Sequence, residues 1–260
     1  MSRPRLFLLR LAATAALLLL AFSVVRWLWY PGAYFGISGV GRHLLVLAAV
    51  GVVIGPALSA FVYKPGKKHL ALDLGVLAAV EVAAVLAAMT VLYVRQPHFS
   101  VFAVDRFEAV ALREVDRTAF ADTSLRSRPG HEPRLVYAEM PTDPDALSRL
   151  IDETLMQGEP DIDRRPEYWR PYAQGVAHVR DAALPFAVLL AGDERSARKA
   201  ARWLQGSGFE ARELIYLPLR GRLRDAATIL HADTGFPVAT LDIDPWRSAP
   251  QDNEPAGDVE

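Results

Sequence analysis

The sequence predicts an α-helical membrane bundle of three transmembrane helices, followed by a small α+β domain with a mostly antiparallel sheet. Three observations predict it. Apolar runs of about 20 residues recur before Arg95, each long enough to cross ~30 Å of hydrocarbon at about 1.5 Å per helical residue. Beyond Arg95 such runs stop, and charged and apolar residues alternate as in a chain that faces water. This second half breaks into short strand-like and helix-like pieces separated by Gly, Pro and Asp. The division is a membrane part over 1–95, an α+β domain over 96–248 and a disordered acidic tail over 249–260.

The first apolar run covers 6–29 and follows Arg3 and Arg5. Its basic start resembles a signal peptide. It ends in Arg26-Trp27-Leu28-Trp29-Tyr30 rather than a small-x-small cleavage site, which favours an uncleaved helix with an interfacial aromatic anchor. The second and third runs cover 44–63 and 74–94, joined by the basic turn Lys64-Pro65-Gly66-Lys67-Lys68. Pro65-Gly66 stops the helix there, and Gly55-Pro56 predicts a kink in the second helix. With no water in hydrocarbon, each run must satisfy its own backbone as a helix.

Orientation follows from basic residues near the helix ends. Arg3, Arg5 and Arg10 share a side with Lys64, Lys67 and Lys68, against Arg26, Arg42 and Arg95 opposite. The positive-inside rule then places the N-terminus in the cytoplasm and the C-terminal domain in the periplasm of a bacterial inner membrane.

Small residues recur every four positions at Gly51, Gly55 and Ser59, and at Gly75, Ala79, Ala83 and Ala87. In lipid such ladders let helix backbones approach, and they are expected to pack the second helix on the third or to meet a foreign helix. Glu81 lies about seven residues into the third run, where an unpaired carboxylate is costly. Arg10 enters the first run from the same side at a depth within roughly 5 Å, so the pair is expected to meet. A protonated Glu81 bonded to a hydroxyl, or turned to a partner helix, is the alternative.

In the second half, Ser100 to Val110 reads as a strand, Ala111 to Phe120 as a short helix and Asp122 to Pro133 as a loop. Arg134 to Met140 reads as a second strand, and Thr142 or Asp143 caps a helix to about Met156. A turn-rich stretch then ends in the aromatic cluster Tyr168-Trp169-Arg170-Pro171-Tyr172. Pro185 to Leu190 reads as strand or buried helix. Asp193 to Leu204 is amphipathic, with Ala197, Ala200, Ala201 and Leu204 inward, and Gly206 and Gly208 end it. Leu214 to Leu219 is a strand, and Ala226 to His231 pairs with Phe236 to Ile243 around Asp233-Thr234-Gly235.

A net charge of −1 without a basic stripe argues against a nucleic-acid partner, and the absence of cysteine removes thiol catalysis, disulfides and cysteine metal sites. Asp233-Thr234-Gly235 resembles an aspartic-protease loop, but that chemistry needs two such aspartates. Asp161-Ile162-Asp163 and Asp242-Ile243-Asp244 resemble metal-binding pairs, without a nucleotide-binding pattern around them. The six histidines show no ligand spacing, and no G-x-S-x-G elbow is present. No catalytic, metal or cofactor residues are expected.

Several stretches together resemble the type IV pilin accessory protein family, the TfpX/TfpZ group. They are Trp29-Tyr30-Pro31-Gly32-Ala33-Tyr34-Phe35, Gly55-Pro56, Val62 to Lys68, Asp73 and Val101 to Phe107, then Leu217-Pro218-Leu219, Asp233-Thr234-Gly235 and Asp242 to Trp246. The resemblance implies an inner-membrane protein that helps a major pilin reach its assembled form, and it brings no catalytic residues. The partners implied are the pilin's transmembrane helix and periplasmic head. For such a role, Trp29, Tyr30, Tyr34, Phe35, Tyr168 and Trp169 are candidate contacts, and Gly51, Gly55, Gly75, Ala79, Arg10 and Glu81 are candidates for packing or contact within the membrane. A periplasmic sensor signalling through a partner is the alternative.

Overall fold

An apolar helix about 20 residues long can bury its side chains in lipid while closing its own backbone hydrogen bonds, and among the described residues three segments have that length and composition. The computed structural model describes residues 3–62, 69–126 and 132–246; the expected basic turn over 64–68, the middle of the 122–133 loop and the tail over 249–260 lie outside them. Helix α1, Arg3–Ser23, widens into a π-helical segment, Val24–Trp29. A short helix α2, Tyr34–Ile37, leads into α3, Val40–Val62, which runs through Pro56, and α4 spans Leu70–Arg95. Three helices are therefore long and apolar enough to cross a membrane. Helices α1 and α3 pack along their length, α4 lies on α3, and α4 touches α1 less. At the end nearest the sheet, Val25, Tyr30, Val40, Leu44 and Leu92 close the bundle in one apolar cluster.

Without a break after Arg95, the chain enters β1, Pro97–Ala103, which turns into β2, Arg106–Ala111. The single strand expected over Ser100 to Val110 is thus a hairpin. Its two-residue turn places Val104 at φ +60, a conformation for which a β-branched residue gives no sequence signal. The helix expected over Ala111 to Phe120 is reduced to a 3₁₀ turn, Leu112–Glu114. Side chains capture the backbone there: Glu114 accepts from the Ala111 N–H at 3.0 Å, and Asp116 accepts from the Thr118 N–H at 2.8 Å.

Strand β3, Arg134–Ala138, is followed by α5, Pro144–Met156, capped by Asp143, and by β4, Trp169–Pro171. Helix α6, Val176–Ala182, precedes a two-residue strand β5, Leu184–Pro185, which runs into the buried helix α7, Phe186–Leu190. Helix α8, Glu194–Ser207, starts on the Asp193 side chain, which accepts from the Arg195 and Ser196 N–H groups, and stops at Gly208 with φ +77. Strands β6, Leu214–Arg220, β7, Ala226–His231, and β8, Pro237–Leu241, complete the sheet.

The sheet order is β4-β3-β1-β2-β6-β7-β8, with β5 beside β6. It is mixed rather than mostly antiparallel: β1 pairs in parallel with β3, and β2 with β6. The cause is topological. β2 ends level with the start of β1, so a chain that re-enters beside β1 from that end must run in the direction of β1. Alternation along the strands separates two apolar faces. Phe99, Val101, Val110, Val136 and Ala138 pack with Leu150 of α5 and with Trp169, and farther along Tyr216 and Ile229 face α7 and α8. On the opposite face, Phe102, Phe107, Tyr137, Leu217 and Leu219 meet Val179 of α6 (and also Ala33 and Ile37, from the segment that links the first two membrane helices).

Candidate functional site

Two groups of residues stand out, one inside the bundle and one where the bundle meets the sheet. Inside the bundle, Arg10 and Glu81 form an ion pair, Nη2 to Oε2 at 2.7 Å. The Arg10 Nε also donates to Ser59 Oγ at 3.2 Å, and the Ser59 hydroxyl donates to the Gly55 carbonyl at 2.9 Å. The Thr14 hydroxyl donates to the other oxygen of Glu81. Helical spacing builds the cluster: Arg10 and Thr14 share a face of α1, and Gly55 and Ser59 share a face of α3. Thr14 and Ser59 are almost fully buried. A buried charge in lipid demands such partners, and here both charges are engaged. What sequence reasoning missed was Thr14, one turn after Arg10, and the hydroxyl role of Ser59.

The two small-residue ladders do different things. A Cβ on Gly55 would stand 3.3 Å from the Glu81 carboxylate, so the missing side chain makes room for that group. A Cβ on Gly51 would stand 3.2 Å from Leu18 and 3.7 Å from Thr14, so this part of the ladder packs α3 on α1, not on the third membrane helix as expected. Among the described residues Gly75 has nothing within 4 Å of its missing side chain, and Ala79, Ala83 and Ala87 are exposed. That second ladder does not pack on α3. It faces outward, because Glu81, on the other side of α4, takes the inward position.

At the junction, four of the six aromatics proposed as contacts lie in one segment whose role is internal. Tyr30 is only 2% exposed, and its hydroxyl donates to the Leu92 carbonyl at 2.9 Å, tying the first membrane helix to the third. Trp29 packs edge-on against Tyr93 with ring centroids 5.3 Å apart. Phe35 meets Phe22 and carries the Arg26 guanidinium over its face. Tyr34 packs against the sheet core, Ile37 is wholly buried, and the Leu223 N–H donates to the Ile37 carbonyl at 2.7 Å. Gly221 allows this approach, since a Cβ on it would collide with Ile37 at 2.5 Å.

The remaining two candidates lie in the sheet domain. Trp169 is fully buried between Phe99 and Phe120, and its indole N–H donates to the Ile162 carbonyl at 3.3 Å. Tyr168 is partly buried on the same core beneath Arg165. These aromatics form core, because a sheet with two covered faces needs large side chains on both. The Asp233-Thr234-Gly235 stretch is the β7–β8 turn, with Gly235 at φ +67 and the Tyr172 hydroxyl donating to its carbonyl. Among the described residues no group of three or more His, Asp or Glu is placed to hold a metal ion.

One acidic pair is buried in the sheet domain. Glu108 on β2 sits near Asp163, and burial, then Asp163, push the Glu108 carboxyl up to about 7 against the opposing pull of Arg164, Arg220 and Arg106. Burial also raises Asp163, which pairs with Arg164. Both side chains lie on the covered face of the sheet beneath the 162–164 turn.

No family model matches the chain, and no solved structure matches it. One curated protein does match, with 26% identity over 221 residues, covering 82% of each chain. That protein is named fimbrial assembly protein, serogroup I, and comes from Dichelobacter nodosus. The chain is similar to a fimbrial assembly protein. Only 165 residues lie from 96 to the C-terminus, so an alignment covering 82% of 260 residues must include part of the membrane helices as well as part of the sheet domain.

Proposed function

We propose that this chain is a non-catalytic assembly factor of a type IV pilus, resident in the bacterial inner membrane, that binds a major pilin before the pilin enters the fibre. The observation that carries the reading is the likeness to a fimbrial assembly protein across both membrane and sheet parts. The architecture supports it. A pilin awaiting assembly presents an apolar helix in lipid and a globular head beside it, and this chain offers a bundle and a sheet domain fixed to one another through Ile37. The outward stripe of Gly75, Ala79, Ala83 and Ala87 supplies a helix surface with no packing role inside the bundle. The polar cluster at Glu81 locks the three helices together, a structural use of its charged groups. In this reading the N-terminus is cytoplasmic and the sheet domain periplasmic.

Photo-crosslinking from Ala79 and Ala83 in cells tests this directly. The expected result is a crosslinked product containing the major pilin, together with loss of pili when the chain is absent. Normal piliation without the chain, or crosslinks that never contain pilin, would overturn it. A reporter fused after the sheet domain tests the orientation and should be active only outside the cytoplasm.

A further inference from the structure

Where α4 ends, the bundle and the sheet enclose a small cleft of about 60 Å³, bordered by Tyr30, Ser38, His43, Arg95, Glu114 and Arg222. At about 10–15 Å³ per water-sized sphere, it has room for roughly four to six oxygen-sized atoms, the size of a phosphate group. Its charge is unbalanced. Among the described residues neither Arg95 nor Arg222 has a carboxylate partner. Glu114 is already engaged by the Ala111 N–H and lies 4.0 Å from Arg113. Two guanidinium groups, Arg95 and Arg222, therefore border the cleft beside the Tyr30 ring. Arg95 complements the C-terminus of α4, whereas Arg222 is exposed with no such role among the described residues.

The level in the membrane identifies the ligand class. Leu92, Trp29 and Tyr93 mark the end of the hydrocarbon, where aromatic rings settle and headgroup phosphates begin. Beside Arg222, Leu223 is 70% exposed and is held down on the start of α3 by its N–H bond to Ile37 and by contact with Gly39. An exposed leucine next to a cationic cleft fits an acyl chain attached to a phosphate better than it fits a free anion in water. We propose that this cleft binds the phosphate of an anionic phospholipid from the leaflet that the sheet domain faces. Such a contact seats the sheet domain at a fixed height on the bilayer surface.

The test uses the full chain in nanodiscs, partially delipidated, with bound lipid read by native mass spectrometry. The protein is expected to retain phosphatidylglycerol in preference to phosphatidylcholine. Arg222→Gln, an exposed surface change, and Arg95→Gln/Arg222→Gln should each lower that preference, the double variant by about tenfold or more. Arg202→Gln, on the exposed side of α8, should leave it unchanged. Equal retention of the two lipids by the unaltered chain, or an undiminished preference in Arg222→Gln and the double variant, would overturn the proposal. Inorganic phosphate binding to detergent-solubilised protein more tightly than the phospholipid, with the same arginine dependence, would also overturn it in favour of a soluble anion.

Discussion

The losses from removing Arg10 and from removing Glu81 should not add, because each removal strands the charge that the other would have carried away. In the structure the Glu81 carboxylate receives Arg10 at 2.7 Å and the Thr14 hydroxyl, while Arg10 is held additionally by Ser59. Arg10→Met leaves a carboxylate in hydrocarbon with one hydroxyl donor, and a stranded buried charge costs about 3–5 kcal/mol. Glu81→Gln is milder, because the amide still accepts from Thr14 but leaves the guanidinium with only the Ser59 hydroxyl, a loss of about 2–3 kcal/mol. The double variant Arg10→Met/Glu81→Gln carries neither stranded charge. It should lose no more than Arg10→Met alone, about 3–5 kcal/mol where additive losses would give about 5–8 kcal/mol, a coupling energy of about 2–3 kcal/mol. The assay is a double-mutant cycle on the purified protein in one detergent, following reversible unfolding of the helices by circular dichroism. Additive losses would refute the reasoning, because they would mean that the two side chains do not sense each other within the folded bundle.

Other expectations follow from the same geometry. Glu108 has a folded pKa of about 7 against 4.5 in the unfolded chain, so its contribution to stability is full below pH 4.5 and is lost as pH rises through 7. At 1.36 kcal/mol per unit this amounts to about 3 kcal/mol, and Glu108→Gln should flatten the fall in melting temperature between pH 5 and 8; an unchanged slope would count against it. Ile37→Ala should destabilise by about 2–4 kcal/mol in thermal unfolding and raise protease cleavage between bundle and sheet, since Ile37 is wholly buried against Gly221. Gly51→Leu should separate α1 from α3 and lower melting temperature, whereas Gly75→Leu should leave stability within about 0.5 kcal/mol and reduce pilin crosslinking. Val104→Gly should raise stability by about 1 kcal/mol by relieving the positive φ of an exposed residue, measured by chemical denaturation.

Local rules were legible in the residues alone. Three apolar runs of spanning length, the Asp143 and Asp193 caps, the Gly208 stop and the β7–β8 turn are each set by neighbours within a few positions, so the chain declares them without its fold. The meeting of Arg10 and Glu81 was also within reach, because depth in a bilayer converts residue counts into distance.

What only the tertiary structure decided is which face each element turns inward. Trp29 to Phe35 and Tyr168 to Trp169 read as exposed aromatics, yet Tyr30 and Trp169 are buried and the other four rings are partly buried, because the α1–α3 link closes one face of the sheet and the 162–172 segment closes the other. The Gly75 ladder faces out because Glu81, on the far side of α4, takes the inward place. The sheet is mixed because β2 ends beside the start of β1, a matter of where strand ends lie rather than of any residue type. Each of these depends on contacts between residues tens to hundreds of positions apart, and a pattern read over a few neighbours does not encode them.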